Sequence, residues 1–146
     1  MASSVTTDYL SSLLKVSMYD FDPDETTHTD VNWSDMRDFG AVLMTLFKSV
    51  GTGAVAAFSI LANSKSDGSG TEVTVKTHAL GTDVDAVGDF VHLEALASEI
   101  VNLNATDLRY VSGNISLATG TDECVVTYVF GLPRFAYGGL TADTIA

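Results

Sequence analysis

Residues 39–62 constrain the fold more than any other stretch of the chain. Phe39-Gly40-Ala41-Val42-Leu43-Met44-Thr45-Leu46-Phe47 and Ala54-Val55-Ala56-Ala57-Phe58-Ser59-Ile60-Leu61-Ala62 are apolar runs, each about one strand long. Between them stands Lys48-Ser49-Val50-Gly51-Thr52-Gly53. Two apolar runs about a polar, glycine-bearing break predict two buried strands joined by a tight turn, as in a hairpin. A membrane helix over the same span would carry Lys48 near its middle, at a cost of about 2.5–3.5 kcal/mol. Gly51 and Gly53 would then break it, so no membrane contact is expected.

The remaining segments extend the sheet. Arg37–Lys48 and Ala54–Asn63 open the core, and Ser64-Lys65-Ser66-Asp67-Gly68-Ser69-Gly70 is an exposed turn. Thr71–His78 alternates, with Val73 and Val75 on one face and Glu72, Thr74 and Lys76 on the other, as in a half-exposed strand. Phe90–Ala95 is a shorter strand, and the spacing of Leu93, Leu96, Ile100 and Leu103 predicts a short helix over Ala95–Asn102. Leu108–Leu117 and Glu123–Gly131 are the last strands. The latter is apolar on both faces, Cys124, Val126, Tyr128 and Phe130 against Val125 and Val129, so it belongs at the centre of a sheet. Short strands with polar turns predict a mainly β protein, an antiparallel, jelly-roll-like β-sandwich with one short helix. The expected organisation is an N-terminal arm over 1–30, a sandwich over 31–131 and a C-terminal tail over 132–146.

Charge and chemistry narrow the function. Nineteen acidic and 7 basic residues give a net charge of −12, which repels phosphate backbones and argues against nucleic acid as a partner. The single cysteine, Cys124, forms no internal disulfide and reads as a small buried hydrophobe. One Cys and three scattered His do not supply zinc-site spacing. The N-terminus has neither a basic region nor a long apolar run and is not read as a signal peptide. Gly51-Thr52-Gly53-Ala54-Val55-Ala56 fits a dinucleotide-binding pattern if a helix follows Gly53; otherwise it is a hairpin turn. Asp20-x-Asp22-x-Asp24 opens like a calcium loop but has Glu25 and Val31 where glycine and glutamate are needed. Ser, His and Asp occur without a nucleophile elbow, and Glu94 beside His92 gathers no second carboxylate in sequence. No cofactor, metal or enzymatic activity is therefore expected.

From Trp33 onward the order of segments resembles small β-sandwich structural proteins of tailed-bacteriophage virions. The resemblance lies in Trp33-Ser34-Asp35-Met36-Arg37-Asp38-Phe39-Gly40-Ala41-Val42, the apolar strand after it and the loop Ser66–Gly70. It continues through Val91-His92-Leu93-Glu94, Leu108-Arg109-Tyr110-Val111-Ser112 and Val125-Val126-Thr127-Tyr128-Val129-Phe130-Gly131. It covers roughly residues 33–131, a sequence of segments rather than a diagnostic motif. It implies a capsid decoration, or cement, protein that binds the major capsid protein as a homotrimer or homodimer on the virion surface. A head-completion, tail or fibre-base protein is the alternative, and a small nucleotide- or ligand-binding protein a third reading. For a cement protein the expected contacts are Tyr9, Leu10, Tyr19 and Phe21 in the arm, Trp33 at the junction, and Arg134, Phe135 and Tyr137 in the tail.

Overall fold

The computed structural model describes residues 15–21, 27–29, 33–81, 83–102 and 107–133. The strands are β1 (Lys15–Phe21), β2 (Thr27–Thr29), β3 (Ser34–Asp35), β4 (Phe39–Val50), β5 (Val55–Asn63), β6 (Glu72–Ala79), β7 (Phe90–Leu96), β8 (Tyr110–Leu117) and β9 (Glu123–Pro133). One helix, α1 (Ala97–Asn102), follows β7. The strands form two antiparallel sheets, β1-β9-β4-β7 and β2-β8-β5-β6, with β3 added to β8. The pairs β1·β9, β2·β8, β4·β7 and β5·β6 nest one inside the next. The chain is thus one long antiparallel hairpin rolled into a sandwich, the jelly-roll arrangement.

This winding overturns two sequence expectations. The hairpin expected of residues 39–62 does not form, because β4 pairs with β7 and β9 while β5 pairs with β6 and β8. Residues 51–54 carry the chain from one sheet to the other. Two adjacent runs that are both buried look alike in sequence whether they pair or cross between sheets. Nor are residues 1–30 an arm throughout: Lys15–Phe21 lies along β9 and Thr27–Thr29 along β8. Lys15–Phe21 has no clean alternation and Thr27–Thr29 is short and polar, which an edge position with only one neighbour tolerates.

The core follows from the two-residue period of the pleat. Val42, Met44 and Leu46 of β4 stand beside Phe130, Tyr128 and Val126 of β9, and all six are fully buried. Phe58, Ile60 and Ala62 of β5 with Val111 and Ile115 of β8 face them from the second sheet. A polar link crosses this core, where the Gly113 N–H donates to the Tyr128 hydroxyl at 2.7 Å. A Cβ at Gly113 would lie 2.9 Å from that oxygen, so the glycine makes the link possible.

Two polar clusters fix the margins. Lys76 on β6 donates to the Glu94 carbonyl of β7 at 2.7 Å and pairs with Glu99 of α1 at 3.0 Å, joining the two sheet edges. Buried Asn63, at the end of β5, organises the 64–70 turn by accepting from Lys65 and Gly70 N–H and donating to the Gly68 carbonyl. Gly68, at φ +74°, lies against the Trp33 indole, a conformation and a contact that both disfavour a side chain.

Deleting residues 1–30 removes a strand from each sheet, whereas deleting 1–14 leaves every described strand in place. The shorter truncation is expected to keep a cooperative thermal transition by circular dichroism, and the longer one to lose it.

Candidate interaction surface

At the end of β4 a cation points into the sandwich. The period of the strand puts Lys48 on the same face as Val42, Met44 and Leu46, and its side chain is fully buried. Its ammonium donates to the Gly53 carbonyl and, at 3.1 Å, to Asp122, whose side chain is also buried. An unpaired buried charge costs several kcal/mol, so each ion requires the other. The Gly-Thr-Gly break serves this pair. A Cβ at Gly51 or Gly53 would run into the Asp122 carboxylate, and Gly51 has φ +98° besides. The dinucleotide reading fails on the same geometry: strand β5, not a helix, follows Gly53, and a carboxylate already occupies the space beside the glycines.

The Lys48 backbone holds the next loop. Its N–H donates to Asp89 at 2.9 Å, and its carbonyl accepts from Gly88 at 3.0 Å. Asp89 accepts in turn from the Asp85 and Ala86 N–H groups, closing a turn that projects Val87. One residue thus ties together β4, the crossover, the loop before β7 and the turn before β9. Beside it, Cys124 stands opposite Lys48 in the β4·β9 register. Burial pushes its thiol up to about 11, Lys48 opposing and Asp122 adding to the shift. Cys124 is therefore the inert hydrophobe expected from sequence.

Around this buried anchor the outer surface is apolar. Phe47 (43% exposed), Val50 (43%), Val87 (58%) and Phe90 (61%) lie at the same end of the sandwich. Phe47 and Phe90 are direct cross-strand partners, with Val125 opposite Phe47 on its other side. One step along the strands, Thr45 meets His92 with a 2.8 Å hydrogen bond. Asp85 and Asp89 lie in the loop that leads into Phe90, Glu123 stands opposite Val50 in the β4·β9 register, and Lys48, the basic residue among them in sequence, is turned inward. The result is two phenylalanines at paired positions on a sheet, the Phe90 ring centre 5.3 Å from that of His92.

A second cluster lies around β3. Asp35 accepts from Arg109 at 2.5 Å and from Arg37 at 3.1 Å, and the Arg109 guanidinium lies 4.9 Å from the Tyr110 ring centre. Partial burial pushes the Asp35 carboxyl up, but the Arg109 hydrogen bond, the Arg37 N–H and the Arg37 guanidinium together hold it below its ordinary 3.8. Beside the two arginines a cavity of about 200 Å³ opens between α1 and residues 107–109, walled by Met36, Ala97, Ile100 and Leu108. Small-molecule sites run to about 300–1,000 Å³, so this one is small for a nucleotide. Among the described residues no group of three His, Cys, Asp or Glu side chains could hold a metal, and no helix is long and apolar enough to cross a membrane.

Three of the expected contact residues lie among the described residues. Tyr19 and Phe21 lie in β1, opposite Val126 and Cys124. Trp33 is half-buried against Gly68. Tyr9, Leu10, Arg134, Phe135 and Tyr137 lie outside the described residues. The Phe47–Phe90 patch was not anticipated, because cross-strand neighbours 43 positions apart become visible only once the register is known. The inward Lys48 left a trace in sequence, as the lone charge interrupting an apolar run.

No protein-family model and no curated protein sequence matches the chain. Its fold is similar to the PBSX exported protein XepA (TM-score 0.49, 11% identity), over 88% of this chain and 40% of that one. The acid-stable capsid structure of Helicobacter pylori bacteriophage KHP30 is similar over 86% and 95% of the two chains (TM-score 0.43, 13% identity). A chain of the Bacillus endospore appendages, a family of disulfide-linked pili, is similar over 82% and 88% (TM-score 0.41, 16% identity). These likenesses concern the β-sandwich alone and assign neither family nor function.

Because the Asp35 carboxyl is held down, its stabilising effect is complete above the ordinary 3.8 and is lost as pH falls through the lower folded value. Asp35→Asn is expected to cost about 1 kcal/mol at pH 7, after allowance for solvent screening. Urea melts should show the two proteins converging in acid below the ordinary carboxylate pKa.

Proposed function

We propose that this chain is a virion structural protein that cements a tailed-phage capsid by binding its major capsid protein. The observation that carries the reading is the exposed Phe47–Phe90 pair with Val50 and Val87, held rigid by the bonds of Lys48. Exposed apolar side chains gathered in one region mark surfaces that meet a partner. Aromatic anchors fixed in advance lose little entropy on docking. The order of segments from Trp33 to Gly131 supports the same reading, as does an acidic surface that would not adhere to released DNA. In this role the chain acts as a homotrimer or homodimer on the capsid surface, where many weak contacts add through effective concentration. It needs no cofactor and catalyses nothing.

The test is re-decoration of particles stripped of the chain. The wild-type protein is expected to return in hundreds of copies per particle, counted by gel densitometry. Phe90→Asp, at a position open to solvent, is expected to keep the fold and to weaken binding at least about tenfold, a loss of about 1.4 kcal/mol. Undiminished binding by Phe90→Asp removes the patch from the account, and a stoichiometry of only a few copies favours a head-completion or tail component.

A further inference from the structure

Among the described residues strand β7 is the last strand of its sheet, and described groups cap only half the length of its outer edge. In an antiparallel pair, alternate residues turn their backbone groups away from the partner strand. Two bonds set the phase for β7. The Glu94 carbonyl accepts from Lys76, and the Leu96 N–H donates to Glu99, so Glu94 and Leu96 turn away from β4. Two and four residues earlier, His92 and Phe90 have the same phase. No described strand lies beyond them.

Natural sheets protect such an edge with a bulge, a proline or a lysine. The neighbouring edge strand β6 has two of these, a register shift opposite Ile60/Leu61 and Lys76 itself. From Phe90 to Leu93, β7 has none, and the side chain of Phe90 is the most exposed aromatic in the apolar patch. Backbone that no described strand pairs and apolar side chains therefore share one place.

We propose that the Phe90–His92 edge of β7 receives an added β-strand from a partner, an extended segment in which apolar and basic residues alternate. Backbone pairing would supply affinity, and alternate side chains specificity. The apolar residues would pack on Phe47 and Phe90. The basic ones follow from charge: Asp85 and Asp89 border the edge, and the chain as a whole carries −12. The same charge opposes a second copy of this chain as the occupant. The inference deepens the proposed shell attachment, since a strand of the capsid protein could be the segment, but its test needs no capsid.

The probe is a capped peptide of four Lys-Val repeats, added to the full chain at low salt. Amide hydrogen exchange at Phe90 and His92 is expected to slow about tenfold or more, with the β6 amides unchanged and the effect fading as salt rises. His92→Pro removes a donor that faces away from β4 and is expected to abolish the protection. Phe90→Lys adds a gatekeeping charge without touching that donor and is expected to abolish it as well, should the proline variant fold poorly. Exchange at Phe90 and His92 unchanged by the peptide overturns the proposal, as does protection that survives both substitutions. A free chain that already sediments as a dimer with these amides protected overturns it too, by making the occupant a second copy. Loss of capsid binding in Phe90→Asp without peptide protection rejects strand addition while leaving the shell reading intact.

Discussion

The buried pair of Lys48 and Asp122 is the interaction on which the rest of this structure depends. Burying two ions costs several kcal/mol each before their attraction is counted, so such a pair is weak evidence of net stability. Its effect here is one of position. The ammonium reaches the crossover at Gly53 and the turn before β9 at Asp122, while its own backbone holds the loop before β7. An apolar side chain at position 48 would keep the backbone bonds to the loop before β7 but would lose the links to the crossover and to the turn before β9.

The exposed patch inherits that order. Phe47 and Val50 flank Lys48 on β4, Val87 projects from the turn bonded to Lys48, and Phe90 opens the strand that follows. An apolar surface on a mobile loop loses entropy when it docks, whereas this one lies on a sheet and a hydrogen-bonded turn. The inward cation also leaves the outer border acidic, through Asp85, Asp89 and Glu123. The main chain of residue 48 thus orders the loop beside the candidate surface, while its inward side chain sets the electrostatics.

Much of the sandwich was legible in the sequence. The period-two alternation of Thr71–His78, the two-faced apolarity of Glu123–Gly131 and the helical spacing after Leu93 each mark an element found close to its expected bounds. Pairing was not legible. β4 and β5 are adjacent in sequence and both apolar, and the crossover between them is held by Lys48 and Asp122, which lie 74 positions apart. The strand of residues 15–21 mixes apolar and charged residues without a clean alternation, and that of residues 27–29 is short and polar, which an edge position tolerates. The surface was the least legible part, since Phe47 and Phe90 become a pair only through the register.

The most direct test of this account is a double-mutant cycle on Lys48→Met and Asp122→Asn, followed by urea unfolding. Each single change leaves a buried partner unpaired and is predicted to cost about 3–5 kcal/mol. The double variant, with no buried ion left at the corner, is predicted to lose far less than the sum, with a coupling of at least about 2 kcal/mol. Losses that add to within about 0.5 kcal/mol would contradict the account, because the two residues would then be acting independently.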